Sequence, residues 1–159
     1  MPKVSGLNRR TMLFGALLLP VLGAHATPKR GERVEVWKTP SCGCCKDWIA
    51  HLEAEGFEVK TYEVSDAAKS AKRRDLGMPA QFGSCHTAVV RGYVLEGHVP
   101  ARDIRRLLAD RPKALGLAVP GMPIGSPGMD GPDYGGRKDP FDVLLVRRDG
   151  SSTVFQAYV

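Results

Sequence analysis

With 159 residues, 43% of them hydrophobic and 25% charged, the chain has an ordinary globular composition and one core is expected rather than two. Its net charge of +6 falls to +3 once Lys3, Arg9 and Arg10 are set aside with the leader described next. Basic residues are not interleaved with aromatic ones, so no nucleic-acid partner is expected.

The first 26 residues differ from the rest. Lys3, Arg9 and Arg10 precede the apolar run 12–23, which ends at Ala24-His25-Ala26, a small-x-small cleavage pattern. This predicts a secretory signal peptide over 1–26 and a mature domain over 27–159 exported to the periplasm. The apolar run is too short for the roughly 20 residues of a bilayer-crossing helix, so no stable membrane insertion is expected after cleavage. Asn8-Arg9-Arg10-Thr11-Met12-Leu13-Phe14 also resembles a twin-arginine signal, which would carry the protein across already folded.

Residues 34–37 alternate and are rich in β-formers, predicting a first strand that Thr39-Pro40-Ser41 ends. From Cys44 onward Trp48, Ile49 and Leu52 recur at helical spacing, and Gly56 stands where a helix C-cap belongs. Residues 57–64 read as a second strand. Ser65-Asp66 can cap a helix over 67–76 that Gly77 and Pro79 end. Residues 87–90 and 93–95 flank Arg91-Gly92 as a tight hairpin, and Pro100 opens a helix over 101–110. The order β-α-β-α-β-β-α, with cysteines ending the first strand, predicts an α/β domain of thioredoxin-like layout. Residues 112–140, rich in Gly and Pro and carrying two methionines, read as a long loop, and 141–158 as a C-terminal hairpin about Arg148-Asp149-Gly150.

All four cysteines, at 42, 44, 45 and 85, lie in the mature part. An even count in an exported chain suggests disulfides, but neighbours at 42, 44 and 45 cannot form an unstrained 42–44 or 44–45 bridge. Cys42 and Cys45 make a C-x-x-C pair where a strand meets a helix, a place that favours thiolate. Thiolate serves a redox dithiol and a soft metal equally: Cu(I), zinc or an iron–sulfur centre. Cys44 weighs toward metal, since a dithiol enzyme needs two thiols and a third invites mispairing.

In a thioredoxin layout the loop before the third strand faces the dithiol and usually presents a cis-proline. Cys85 and His86 stand there instead, unless Pro79 fills that role in a shifted register. His98 follows the fourth strand and returns to the same neighbourhood, whereas His51 lies two turns into the first helix and is expected to pack or face solvent. Met122 and Met129 lie in the Gly/Pro-rich loop. Thioethers suit Cu(I), and flexible apolar filler is the competing use.

Thr39-Pro40-Ser41-Cys42-Gly43-Cys44-Cys45, Ser84-Cys85-His86-Thr87-Ala88-Val89, Glu96-Gly97-His98-Val99-Pro100 and Val119-Pro120-Gly121-Met122-Pro123 together resemble the CopG-type periplasmic copper-resistance proteins. The resemblance spans the mature chain. It implies a thioredoxin-like fold, a polynuclear copper site on the C-x-C-C motif with the distal cysteine, a role in copper tolerance, and cycling between Cu(I) and Cu(II). By position Cys42, Cys44, Cys45 and Cys85 match the motifs, while His86, His98, Met122 and Met129 lie in matching segments. Copper ions and other periplasmic copper-handling proteins are the partners it implies. The rivals are a thiol–disulfide oxidoreductase on Cys42/Cys45 and an iron–sulfur or zinc protein.

Overall fold

The computed structural model describes residue 1 and residues 31–159. The expected signal peptide and its cleavage site therefore lie outside the described residues, Met1 apart. Ten main elements follow in chain order: β1 (Arg33–Lys38), α1 (Gly43–Ala54), β2 (Glu58–Glu63), α2 (Asp66–Asp75), β3 (His86–Val90), β4 (Tyr93–Gly97), α3 (Ala101–Asp110), β5 (Gly116–Val119), β6 (Phe141–Val146) and β7 (Ser152–Tyr158). Among the described residues no helix is long and apolar enough to cross a membrane.

The strands form one seven-stranded sheet in the order β2-β1-β3-β4-β5-β6-β7. β1 runs parallel to β2 and antiparallel to β3, and β3 is antiparallel to β4. These four strands with α1, α2 and α3 are the α/β layout expected from the sequence. Alternation along the strands gives the sheet two apolar faces. Val34, Val36, Leu95 and Leu117 pack with Trp48 and Leu52 of α1 and Ile104 and Leu107 of α3. The neighbouring positions Val94 and Ala118 turn the other way, onto Met78, Phe82, Leu115 and Val146.

One expectation is corrected. Residues 112–140 are not a single loop, because Gly116–Val119 form β5 at the heart of the sheet, parallel to β4 and antiparallel to β6. All four of its residues are buried, so the strand is uniformly apolar and lacks the alternation that marks a half-exposed one. Gly116 belongs there because a Cβ would lie 1.7 Å from the Val94 carbonyl oxygen. The loop proper shrinks to 120–140, held at both ends by neighbouring strands.

This topology puts two sets of turns at opposite ends of the sheet. The β1–α1 loop, the start of β3, the end of β4 and the loop after β5 share one end. The β3–β4 turn, the α3–β5 segment and the β6–β7 turn share the other.

Candidate metal centre

Cys42 is the N-cap of α1 in extended conformation, and its side chain makes no capping bond. Its sulfur, not spent on capping, can reach that of Cys45, which rides the first turn with Cys44. Cys42 and Cys45 are joined as a disulfide, with Cα atoms 5.4 Å apart, and Cys44 and Cys85 are free thiols. This is the one pairing within the triplet that the spacing allows.

Cys85 faces the triplet, and all four sulfurs lie within 4.8 Å of one another. Cys44 Sγ is 3.7 Å from Cys42 Sγ, and Cys45 Sγ is 3.7 Å from the Cys85 carbonyl oxygen. A second set overlaps the first: Cys85 Sγ is 3.3 Å from His86 Nδ1 and 3.1 Å from His98 Nε2. Both histidines are fully buried, and His98 Nδ1 has no hydrogen-bond partner among the described residues. The His86 ring is sandwiched, 4.1 Å from Trp48 and 5.5 Å from His98 between centroids. Trp48 is itself fixed by its indole N–H donating to Val99 O at 2.9 Å.

Burial sets the charge states. It pushes His86 well below the imidazole range, with the neighbouring His98 adding to the effect, and it brings His98 down to about 4. Both rings are therefore neutral at pH 7, the form that ligates metals. Burial, reinforced by nearby Cys44, raises the Cys85 thiol to about 12, so it holds its proton until a metal replaces it.

Met122 Sδ lies 3.9 Å from Cys44 Sγ. Its backbone is left-handed, at φ +49°, an unfavourable setting for a long side chain, and it follows Gly121 at φ +79°. Met129 is turned elsewhere, its sulfur accepting a hydrogen bond from Tyr134 Oη at 3.2 Å. Between them Gly128 sets loop backbone directly on α1, since a Cβ would lie 2.6 Å from Cys44 O and 2.8 Å from Trp48 N. The peptide bond before Pro79 is trans, so Pro79 does not take the cis-proline role. His51 is half-buried, and its Nε2 accepts the Ala101 N–H at 3.2 Å, capping α3.

Sequence reasoning missed two residues that brace the Cys85 loop. Glu96 is 0% exposed and accepts from Ser84 N and Thr87 Oγ1, each at 2.8 Å, and from Arg73 Nη1 at 3.3 Å. It thus grips the residues on both sides of Cys85-His86. Burial raises its pKa, with Ser84, Thr87 and Arg73 pulling the other way. Lys69, only 8% exposed, donates to Cys85 O at 3.1 Å and pairs with Asp66 at 2.9 Å. A signal for Glu96 was present: a carboxylate directly after the apolar Tyr93-Val94-Leu95, inside Glu96-Gly97-His98.

The fold and the site together define an α/β protein whose first strand-to-helix junction carries a cluster of sulfur and imidazole donors fit for a soft metal. A family model described as "Protein of unknown function, DUF411" matches residues 82–129. No curated protein matches the chain. Two solved structures do. One, titled copper resistance protein copG, form 1, is 46% identical with a TM-score of 0.72, covering 80% of this chain and 98% of that one. The other, form 2 of the same protein, is 47% identical with a TM-score of 0.72, covering 81% and 99%. The chain belongs to the CopG family of copper resistance proteins.

Proposed function

We propose that the protein binds copper as a polynuclear Cu(I) site on Cys42, Cys44, Cys45 and Cys85 and contributes to copper resistance in the periplasm. His86, His98 and Met122 complete the donor set, and Met129, its sulfur held by Tyr134 Oη, stands apart from it. The observation that carries this reading is the place of Cys44: a thiol no dithiol reaction needs stands among the other three sulfurs, within 4.8 Å of them all. Thiolate, thioether and neutral imidazole all suit Cu(I). The relatives' printed name supports copper over zinc or iron.

Redox cycling of copper is part of the proposal. Opening the Cys42–Cys45 disulfide takes two electrons and two protons. External thiol supplies both, giving the two thiols that hold Cu(I); in the opposite sense the Cys42 and Cys45 thiols reduce two Cu(II) ions to Cu(I), closing the disulfide and releasing two protons to solvent. The same disulfide favours a second reading, a thiol–disulfide oxidoreductase acting through Cys42 and Cys45.

Cys44→Ala separates the two. Copper retention against a chelator should weaken at least about tenfold and copper tolerance should fall with it, because soft sites depend on thiolate count. Disulfide exchange by Cys42 and Cys45 should persist. A folded variant with unchanged copper content shifts the assignment to the oxidoreductase, and zinc or iron in place of copper in the purified protein removes copper from it. Export is proposed too: cleavage after Ala26 leaves a chain beginning Thr27-Pro28, which intact mass of periplasmic protein reads directly.

A further inference from the structure

Three turns meet at the end of the sheet remote from the cysteines and enclose a cleft of about 750 Å3. Arg91 comes from the β3–β4 turn, Arg111 and Lys113 from the α3–β5 segment, and Arg148 from the β6–β7 turn, over a wall that includes Leu108 and Ala114. Glu32 is the one acidic residue of the lining.

Local preference does not account for two of these cations. Arg91 has φ +48° at the first central position of a two-residue hairpin turn, where asparagine or glycine is favoured. Arg111 has φ +47° just past the end of α3, the position glycine ordinarily fills. Among the described residues only three side-chain-bearing residues take a positive φ, and the third, Met122, stands at the sulfur cluster. Departures from local rules gather where function requires a side chain the backbone would not choose.

The cations are also held ready. Glu32 grips the Arg91 guanidinium with two bonds, at 2.6 and 2.9 Å. Tyr93 Oη donates to Pro112 O at 3.0 Å and steadies the turn that carries Lys113. Arg111 spends Nε on Leu108 O at 3.4 Å. Lys113 and Arg148 have no acidic partner among the described residues.

We infer that this cleft binds a small organic anion, at least doubly charged, with phosphate or carboxylate groups on an apolar body. Guanidinium and ammonium groups from separate turns match such groups, and the volume is that of a small-molecule site. The site is independent of the copper reading, since it lies at the opposite end of the sheet.

Amide NMR spectra of the reduced, metal-free protein titrated with phenyl phosphate and, separately, benzene-1,3,5-tricarboxylate test it. Saturable shifts are expected at Gly92, Lys113 and Arg148, with Cys85 and His86 unmoved. Response to one probe alone assigns phosphate or carboxylate, and response to both assigns the shared charge. Arg111→Gly relaxes the left-handed backbone while removing the charge, so affinity should fall about tenfold or more while the thermal midpoint holds or rises. Arg148→Gln, in an exposed turn, should weaken binding without touching the fold. Shifts that never saturate, or that scatter over all surface cations, mean counter-ion screening only and overturn the inference. So does unchanged affinity in both variants, with Arg111→Gly melting lower, which makes Arg111 a helix cap only.

Discussion

Glu96→Ala is expected to destabilise the protein by about 3–5 kcal/mol, near the upper range for a single substitution. The carboxylate is fully buried and three donors converge on it, so its removal strands the Ser84 N–H and the Thr87 hydroxyl and leaves Arg73, 13% exposed, without its counter-charge. Because Ser84 and Thr87 flank Cys85 and His86, the same change should loosen the donor set and weaken copper retention along with stability. Glu96→Gln keeps an acceptor for one donor and should lose roughly half as much. Urea unfolding at pH 7 reads the stability term. A loss below about 1 kcal/mol in the alanine variant would mean that the Cys85 loop is held by something else.

Acid should unfold the metal-free protein through its buried histidines. In the unfolded chain an imidazole takes up its proton near pH 6.5, whereas His98 inside the fold resists until about 4. A depressed folded-state pKa contributes stability that is complete above about pH 6.5 and is lost as the pH falls toward 4. At 1.36 kcal/mol per unit the loss from His98 alone is about 3 kcal/mol by pH 4. His86 acts in the same direction, while Asp130 and Asp47 pull His98 the other way without reversing the effect of burial. The loss of stability between pH 7 and pH 4.5 should therefore be about 2 kcal/mol smaller in His98→Gln than in the wild type. Equal losses in the two proteins would show that the ring is not held neutral inside.

Legibility followed the physics of each segment. β1 and α1 were readable because one face of each is apolar and the other is not, which periodicity reports, and the β3–β4 hairpin because Arg91-Gly92 marks a tight turn between two runs of β-formers. β5 was not, because burial on both faces erases the period, and Pro112 and Pro120 on either side made four buried residues look like loop. The meeting of Cys85 with the triplet could be expected from strand order, since the end of β1 and the start of β3 pair antiparallel at Lys38 and His86. Which methionine stands beside the thiols could not. Met122 and Met129 have similar Gly/Pro-rich neighbours, and only the left-handed turn at Gly121 and Met122 carries one sulfur to Cys44 while the other meets Tyr134. Glu96 escaped for a related reason: a charged residue closing an apolar strand looks like the start of solvent, and only the tertiary fold surrounds it with donors.

The insertion of β5 decides which strands are left with unpaired backbone. Without it, β4 would border solvent and present the N–H and C=O groups of Val94, Leu95 and Glu96 as a ready template for another chain. Instead the exposed borders are β2, which carries Glu58, Lys60 and Glu63 along its length, and β7. Charges along a border strand discourage pairing between copies. A fragment ending at Asp110 would keep the helices and the cysteines yet bare the β4 ladder, and self-association through strand addition is the fate that geometry sets for it. The C-terminal third thus guards solubility as well as covering the sulfurs.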